Sequence, residues 1–447
     1  MTLYPSYQQY KRTRCAWLEQ IPTHWEIKRI KDVATYNDEA LDEKTDPDFE
    51  INYVDISSVT LVNGIEKIET MSFEKAPSRA RRKVKDGDII VSTVRTYLRA
   101  IAPIDDSSKN MIVSTGFVVI RPKENFHSRF AGYLLQSNGF VGEVVANSIG
   151  VSYPAINAGD LVRIPAVEPP LEEQQTIARF LDFKTMQIDA LITKQQALLD
   201  KLIEKRTALI SHAVTQGIDP SMPMKDSKVE WLGSIPQDWT ETKVKFLGEL
   251  ILGLTYSPDD VVSDGGTLVL RSSNVQDGKI SLSDCVYVSC DIPSKIVTKV
   301  DDILICSRNG SRALIGKCAL LTEDVSNQAF GAFMTVLRSK HARFLYYVLN
   351  STLFKFQSGR FLTSTINQLT TQTLGDFEIA LPPKDTQAAI INYLDKATAE
   401  IDYQREKVQS VIDRLTEYRA ALITDAVTGK IDVRGFKFPQ PAEDMTS

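Results

Sequence analysis

The chain repeats itself once at long range, and no other feature narrows its fold as much. Residues 17–34, WLEQIPTHWEIKRIKDVA, return at 231–248 as WLGSIPQDWTETKVKFLG, so Trp17, Ile21, Pro22, Trp25 and Lys31 match Trp231, Ile235, Pro236, Trp239 and Lys245. The offset of 214 recurs at Asp88-Ile89 against Asp302-Ile303 and at Tyr133-Leu134-Leu135 against Tyr347-Val348-Leu349. It slips to 213 at Pro169-Pro170 against Pro382-Pro383. It then holds through Leu202, Glu204, Arg206, Leu209, Ala213 and Asp219, which return as Leu415, Glu417, Arg419, Leu422, Ala426 and Asp432. Solenoid units run about 20–50 residues. A period this long therefore predicts a duplicated two-part module with a pseudo-two-fold axis.

The two parts of each module have different patterns. Over 17–165 and 231–381, short runs rich in Val, Ile and Thr, such as Asp88-Ile-Ile-Val-Ser, alternate with Gly, Asp, Asn and Ser. These runs predict small mixed domains built on β-sheet. A Pro-Pro pair then precedes a long stretch free of Gly and Pro, Leu171–Gln216 and Lys384–Thr428, each read as one helix of roughly 65 Å. Heptads place Ile177, Leu181, Ile188, Leu191, Leu198, Leu202 and Leu209 on one seam. Ile390, Leu394, Ile401, Val408, Val411, Leu415 and Leu422 form the other, in the same register. The expected fold is α+β, with two mixed α/β domains separated by two long helices packed as an antiparallel coiled coil. Two surface helices, each lying on its own domain, are the simpler alternative. The expected segments are a first domain at 1–165, a helix at 166–220, a second domain at 221–381, a helix at 382–432 and a tail at 433–447.

Of 447 residues, 43% are hydrophobic and 24% charged, the composition of a globular protein, and no apolar run approaches the ~18 residues of a membrane span. The first residues lack the layout of a secretory signal, which leads us to expect a cytoplasmic protein. The odd set Cys15, Cys285, Cys290, Cys306 and Cys318 contains no CxxC pair, which argues against a disulfide framework or a zinc site. Lys and Arg number 52 against 57 Asp and Glu, a net −5, so any nucleic-acid surface must be regional.

Signs of catalysis are missing. His24, His127, His212 and His341 are scattered, and Gly310-Ser-Arg-Ala-Leu-Ile-Gly316-Lys317-Cys318 has the wrong spacing for a phosphate loop and Cys where Ser or Thr would reach magnesium. No dinucleotide fingerprint or Asn-Pro-Pro-Tyr motif occurs. We therefore expect no catalytic residues, no metal and no cofactor in this chain.

The globular parts carry polar and basic loops instead. Phe73–Ala100 holds eight positive residues, among them Arg79, Arg81, Arg82, Lys83, Arg95 and Arg99, against three negative ones. Phosphate contact accounts for such a cluster, and so does a solvated basic loop. Tyr97 lies between its last two arginines. In the second domain the counterparts are Arg308, Asn309, Arg312 and Lys317, preceded by Arg271, Ser273 and Asn274. Arg and Asn can bond bidentately to guanine and adenine edges, although Asn-Gly is also a common turn. A further polar loop precedes each Pro-Pro pair, with Asn147 and Ser152 in the first domain and Arg360, Thr363 and Ser364 in the second. These are candidate DNA contacts or structural turns.

Three signatures together resemble the specificity subunit of type I restriction-modification enzymes, over nearly the whole chain. They are Val229-Glu-Trp-Leu-Gly-Ser-Ile-Pro-Gln-Asp-Trp239, the Pro-Pro-x-x-x-Gln helix starts at Pro169 and Pro382, and the helix ends Ala-Val-Thr-Gln-Gly-Ile-Asp and Ala-Val-Thr-Gly-Lys-Ile-Asp. The resemblance implies two target-recognition domains joined by spacer helices that act as a ruler, a bipartite double-stranded DNA site, and no catalytic centre. It also implies two modification subunits that use S-adenosylmethionine to methylate adenine N6, and two restriction subunits that use ATP and magnesium. The Arg79–Lys83 cluster has no basic counterpart around Ser289–Pro293, so the two half-sites are expected to differ. A coiled-coil adaptor that holds two protein-binding domains apart, without touching DNA, is the alternative.

Overall fold

The run Ile89-Ile90-Val91-Ser92 is buried at every position, as a short unbroken apolar run predicts for a central strand. It lies in a four-stranded antiparallel sheet between Ile101–Pro103 and Phe117–Pro122, with Ala34–Tyr36 outermost. A second sheet is ordered Glu69–Ser72, Glu50–Val54, Met111–Ser114, Ala80–Lys83, and its middle pair is parallel. Helices α1 (Ser128–Gln136) and α2 (Asn138–Ala146) follow. Pro165–Glu168 pairs with Glu26–Arg29 and ties the end of the domain to its beginning.

The computed structural model describes residues 4–105, 110–150, 153–361 and 368–439. The second domain repeats the topology. Its first sheet runs Glu249–Leu252, Met334–Arg338, Ile303–Cys306, Cys318–Leu320. Its second pairs Thr267–Leu270 in parallel with Ala329–Phe330. Thr240–Lys243 pairs with Glu378–Leu381.

The long helices are α3 (Leu171–Gln216) and α6 (Lys384–Val427); between them in sequence lie α4 (Ala342–Leu349) and α5 (Thr352–Phe361). Compactness divides the chain into unit 1, residues 1–195 with 410–447, and unit 2, residues 196–409. Each unit thus holds one mixed domain, the first half of the helix that follows it, and the second half of the other helix. In unit 1, Arg419 of α6 donates to Asp189 of α3 (2.8 Å), and Phe436, beyond the end of α6, packs on Phe180 (4.9 Å). Partners fall along α3 as they rise past α6, so the two half-helices are antiparallel. In unit 2, Arg206 donates to Asp402 (3.0 Å). The two ion pairs are repeat mates.

The seam is buried at Ile177, Leu181, Ile188, Leu202, Ile390, Leu394, Ile401, Val408 and Leu422, and Leu209 and Leu415 are half-buried. Leu191, Leu198 and Val411 are instead exposed at 48%, 44% and 41%. These three lie in the middle part of the helices, where Ile401 and Val408 are nonetheless buried. Towards the helix ends a domain adds its own core, which buries the off-seam Ile210 and Ile423.

Both sequence signatures of the module have a physical role. Gln174 donates back to the carbonyl of Pro169 (2.8 Å) and Gln387 to that of Pro382 (2.7 Å), tying the first turn of each long helix to the Pro-Pro pair before it. The buried Trp25 and Trp239 receive the glycines that end the helices. Gly429 (φ +74°) lies against Pro22 and Trp25, and Gly217 (φ +84°) against Pro236 and Trp239. At Gly429 an added Cβ would lie 2.5 Å from the Pro22 ring, so glycine is needed there for space as well as for its left-handed backbone.

Candidate nucleic-acid interface

In unit 1 the hairpin between Ile89–Ser92 and Ile101–Pro103 carries Arg95, Tyr97 and Arg99 on its tip, all exposed. Arg95 (φ 49°) and Arg99 (φ 52°) are both left-handed and bracket a single 3-10 turn, a strained arrangement of the kind found at functional sites. Buried Thr96 hydrogen-bonds Ser148 (2.8 Å), and the Ile156 amide donates to the carbonyl of Thr93 (2.9 Å). The hairpin is thereby fastened to the polar loop that precedes the Pro-Pro pair. The Arg95 guanidinium lies over the Tyr153 ring at 5.0 Å. Arg79 is near the same end of the domain, since its carbonyl accepts from the Thr115 amide and that of Gly116 from Thr93.

Arg79 is not free. Its Nε donates to Tyr53 Oη (3.2 Å) and to Asp55 Oδ2 (3.0 Å). Burial works to raise the Asp55 carboxyl, but bonds from Tyr53 and the Ser57 amide, with the Arg79 charge, hold it below the usual carboxylate range. Asp55 therefore fixes the guanidinium while leaving 58% of the Arg79 side chain exposed. Arg81 stacks on Phe73 (4.7 Å) and Lys83 is exposed. Arg82 is half-buried, and its Nε has no partner among the described residues. Asn147 caps α2 and donates to the carbonyl of Glu143 (2.8 Å).

Unit 2 builds the same platform. The Leu369 amide donates to the carbonyl of Ser307 (2.8 Å) and Arg308 bridges to Gln368, the repeat mates of the Ile156–Thr93 and Ala155–Val94 contacts. Its tip differs. Arg308 is exposed and stacks on Phe333 (5.1 Å), itself 55% exposed. Asn309 donates to Ser272 (3.1 Å) and accepts from the Ser311 amide (2.9 Å). Arg312 and Lys317 are exposed, and Arg360 lies over Trp231 at 4.7 Å.

Some candidates are drawn away from solvent. Asn274 is fully buried; it accepts from the Arg271 amide (2.8 Å) and donates to the carbonyls of Ser281 and Asp284 (both 2.9 Å). An amide committed inward at both ends cannot read a base, so Asn274 is a turn residue. Arg271 pairs with Asp284 (2.9 Å) and Ser273 is half-buried. Ser152, Thr363 and Ser364 lie outside the described residues. Residue pattern alone missed Asp55, Phe333, Leu98, Ile149 and Tyr153. The last three are apolar or aromatic side chains exposed at 47%, 83% and 67%, a property set by folding.

A further repeated cluster lies where each domain meets its long helix. Arg129 and Tyr133 of α1 both donate to Asp182 of α3 (3.0 and 2.9 Å), and their repeat mates Arg343 and Tyr347 of α4 both donate to Asp395 of α6. No group of three or more His, Cys, Asp or Glu placed to hold a metal occurs among the described residues. None of their helices is long and apolar enough to cross a membrane.

Two copies of one mixed domain, each with a fastened basic and aromatic hairpin and half of two long helices, define a duplicated recognition module. The model for the type I restriction modification DNA specificity domain matches residues 22–200 and 236–412, and the chain belongs to that family. It is 28% identical over 213 residues to the type I restriction enzyme EcoKI specificity subunit of Escherichia coli K12, 44% of either chain. It is 26% identical over 298 residues to the MjaVIII specificity subunit of Methanocaldococcus jannaschii, 65% of this chain and 67% of that one. The match to the EcoKI subunit thus spans less than half of that relative's length. Among solved structures, a chain from work on complex assembly and conformational transition of the type I R-M system superposes with TM-score 0.67 at 22% identity. The superposition covers 92% of this chain and 99% of that one and shows a shared fold.

Proposed function

We propose that this chain is the sequence-specific DNA-recognition subunit of a type I restriction-modification complex. Each unit reads one half of a bipartite double-stranded site, with unread base pairs between the halves. The observation that carries this reading is the same fastened hairpin in both units with different side chains on its tip: Arg95, Tyr97 and Arg99 in one, Arg308, Asn309 and Arg312 in the other. A common platform with divergent tips suits two unlike half-sites, so the site is asymmetric. Exposed arginines supply phosphate contact and base-edge bonding.

The chain itself performs no reaction in this reading. Modification subunits bring S-adenosylmethionine and methylate adenine N6, and restriction subunits bring ATP and magnesium, in the cytoplasm. The test is single-molecule methylation mapping in cells that express this chain with its modification subunit, against cells lacking this chain. The expected result is an asymmetric, bipartite N6-methyladenine motif that vanishes in the control. Unchanged methylation by an assembled complex would favour the adaptor that holds protein-binding domains apart.

A further inference from the structure

The unit 1 hairpin ends in an exposed apolar pair that DNA contact through arginine alone leaves unexplained. Tyr97 and Leu98 are 53% and 47% exposed, between two arginines that are themselves exposed. Thr96, the residue before the pair, is buried and bonded to Ser148, and Ala100, two residues after it, is 1% exposed. The turn is thus anchored on both sides, and left-handed Arg95 and Arg99 force its middle outward. Ile149 and Tyr153 stand exposed on the loop fastened beside it. In unit 2 the corresponding 3-10 turn is Arg312-Ala313-Leu314, with alanine where unit 1 has Tyr97 and a half-buried Leu314 where unit 1 has exposed Leu98, and the exposed Phe333 nearby is stacked against Arg308.

A rigid, projecting aromatic and aliphatic pair flanked by cations is the construction that enters a base stack. The cations hold the phosphates on either side while the apolar groups replace the stacking lost at one step. We propose that Tyr97 and Leu98 form a wedge that unstacks one base step in the half-site read by unit 1 and bends the duplex there, while unit 2 reads its half-site without a wedge. The inference rests on the DNA-recognition reading. Pyrimidine–purine steps open most readily, so the wedged step is of that kind.

The test uses the full chain assembled with its modification subunits and duplexes of the mapped motif. A fluorescent base analogue is placed at each position in turn, the methylated adenine and its pairing partner excepted, and bending is followed by energy transfer between labelled ends. The expected result is enhanced fluorescence at one step of the unit 1 half-site and none in the other half. Tyr97→Ala with Leu98→Ala should abolish that signal, reduce the bend and weaken binding about tenfold, equivalent to about 1.4 kcal/mol; Tyr97→Phe should retain all three. Arg99→Ala should weaken binding and flatten its salt dependence while leaving the unstacked step in place. Specific binding with no unstacked step, or a step that persists in the double variant, overturns the wedge alone. Failure of the unsubstituted complex to bind its motif specifically would overturn the DNA-recognition reading instead.

Discussion

At the scale of single residues, each domain holds a buried aspartate that the repeat marks by position, and folding pairs it with an arginine. Asp88, 1% exposed, takes two bonds from Arg121 (both 2.8 Å) and one from the Lys85 amide; its repeat mate Asp302, 2% exposed, does the same with Arg338 (2.9 and 2.7 Å) and the Lys299 amide. Removing one partner strands the other, so Asp302→Ala should destabilise the protein by on the order of 3 kcal/mol in denaturant unfolding. The equally sized Asp302→Asn, which keeps part of the bonding, should cost less. Burial pushes the Cys306 thiol up to about 11 and Cys318 up to about 12. A thiol-specific reagent near pH 8 should therefore spare these two and modify Cys285 and Cys290, which are half-buried; rapid loss of all thiols in the folded protein would contradict this packing. In the C-terminal segment, a bond from Arg434 holds the Asp432 carboxyl below its usual range, and the Asp432 amide donates to the carbonyl of Pro5 (2.7 Å). A depressed folded-state value means that this contribution is complete above the ordinary aspartate pKa of about 3.9 and is lost as pH falls through the folded value. Proteolysis within residues 430–436 should accelerate only below about pH 4, and Asp432→Asn should remove that dependence.

At the scale of elements, the register of the half-helices is pinned by Asp189–Arg419 in unit 1 and Arg206–Asp402 in unit 2. The arginines are 13% and 17% exposed, so solvent screens these pairs less than a surface pair. Arg206→Ala should cost about 1–2 kcal/mol, and exchanging the partners, Arg206→Asp with Asp402→Arg, should restore part of it in a double-mutant cycle. An exchange no better than the sum of its singles would show that the pair contributes little to the register. The seam that heptads predict is buried at most of its positions and exposed at Leu191, Leu198 and Val411. Sequence periodicity reports which residues are apolar, and the presence of a second surface to cover them decides whether they are buried.

At the scale of the whole molecule, independent recognition by two units predicts independent failure. Arg308→Ala should relax or abolish the part of the methylation motif read by unit 2 and leave the other half intact, a change read directly from the mapped motif. Specificity unchanged in both halves would remove Arg308 from the base-reading set. Contact with several phosphates also requires affinity to fall steeply with salt on logarithmic axes. A slope near zero would count against recognition of DNA by this chain.

The duplication, the sheet-containing domains and the two long helices were legible from residues alone, because they depend on local periodicity and on matched words such as Ile21-Pro22-x-x-Trp25 and Pro169-Pro170-x-x-x-Gln174. The tertiary structure decided which helix halves share a unit, which seam residues are covered and which polar residues face solvent. Asn274 and Asn309 look alike in sequence, each in a short polar stretch that contains arginine and serine. Folding buries the first completely under the Ser281 and Asp284 carbonyls and leaves the second half-buried on a hairpin tip, bonded to Ser272 and the Ser311 amide. Polarity is a property of the side chain, but availability to a ligand depends on what long-range packing brings against it.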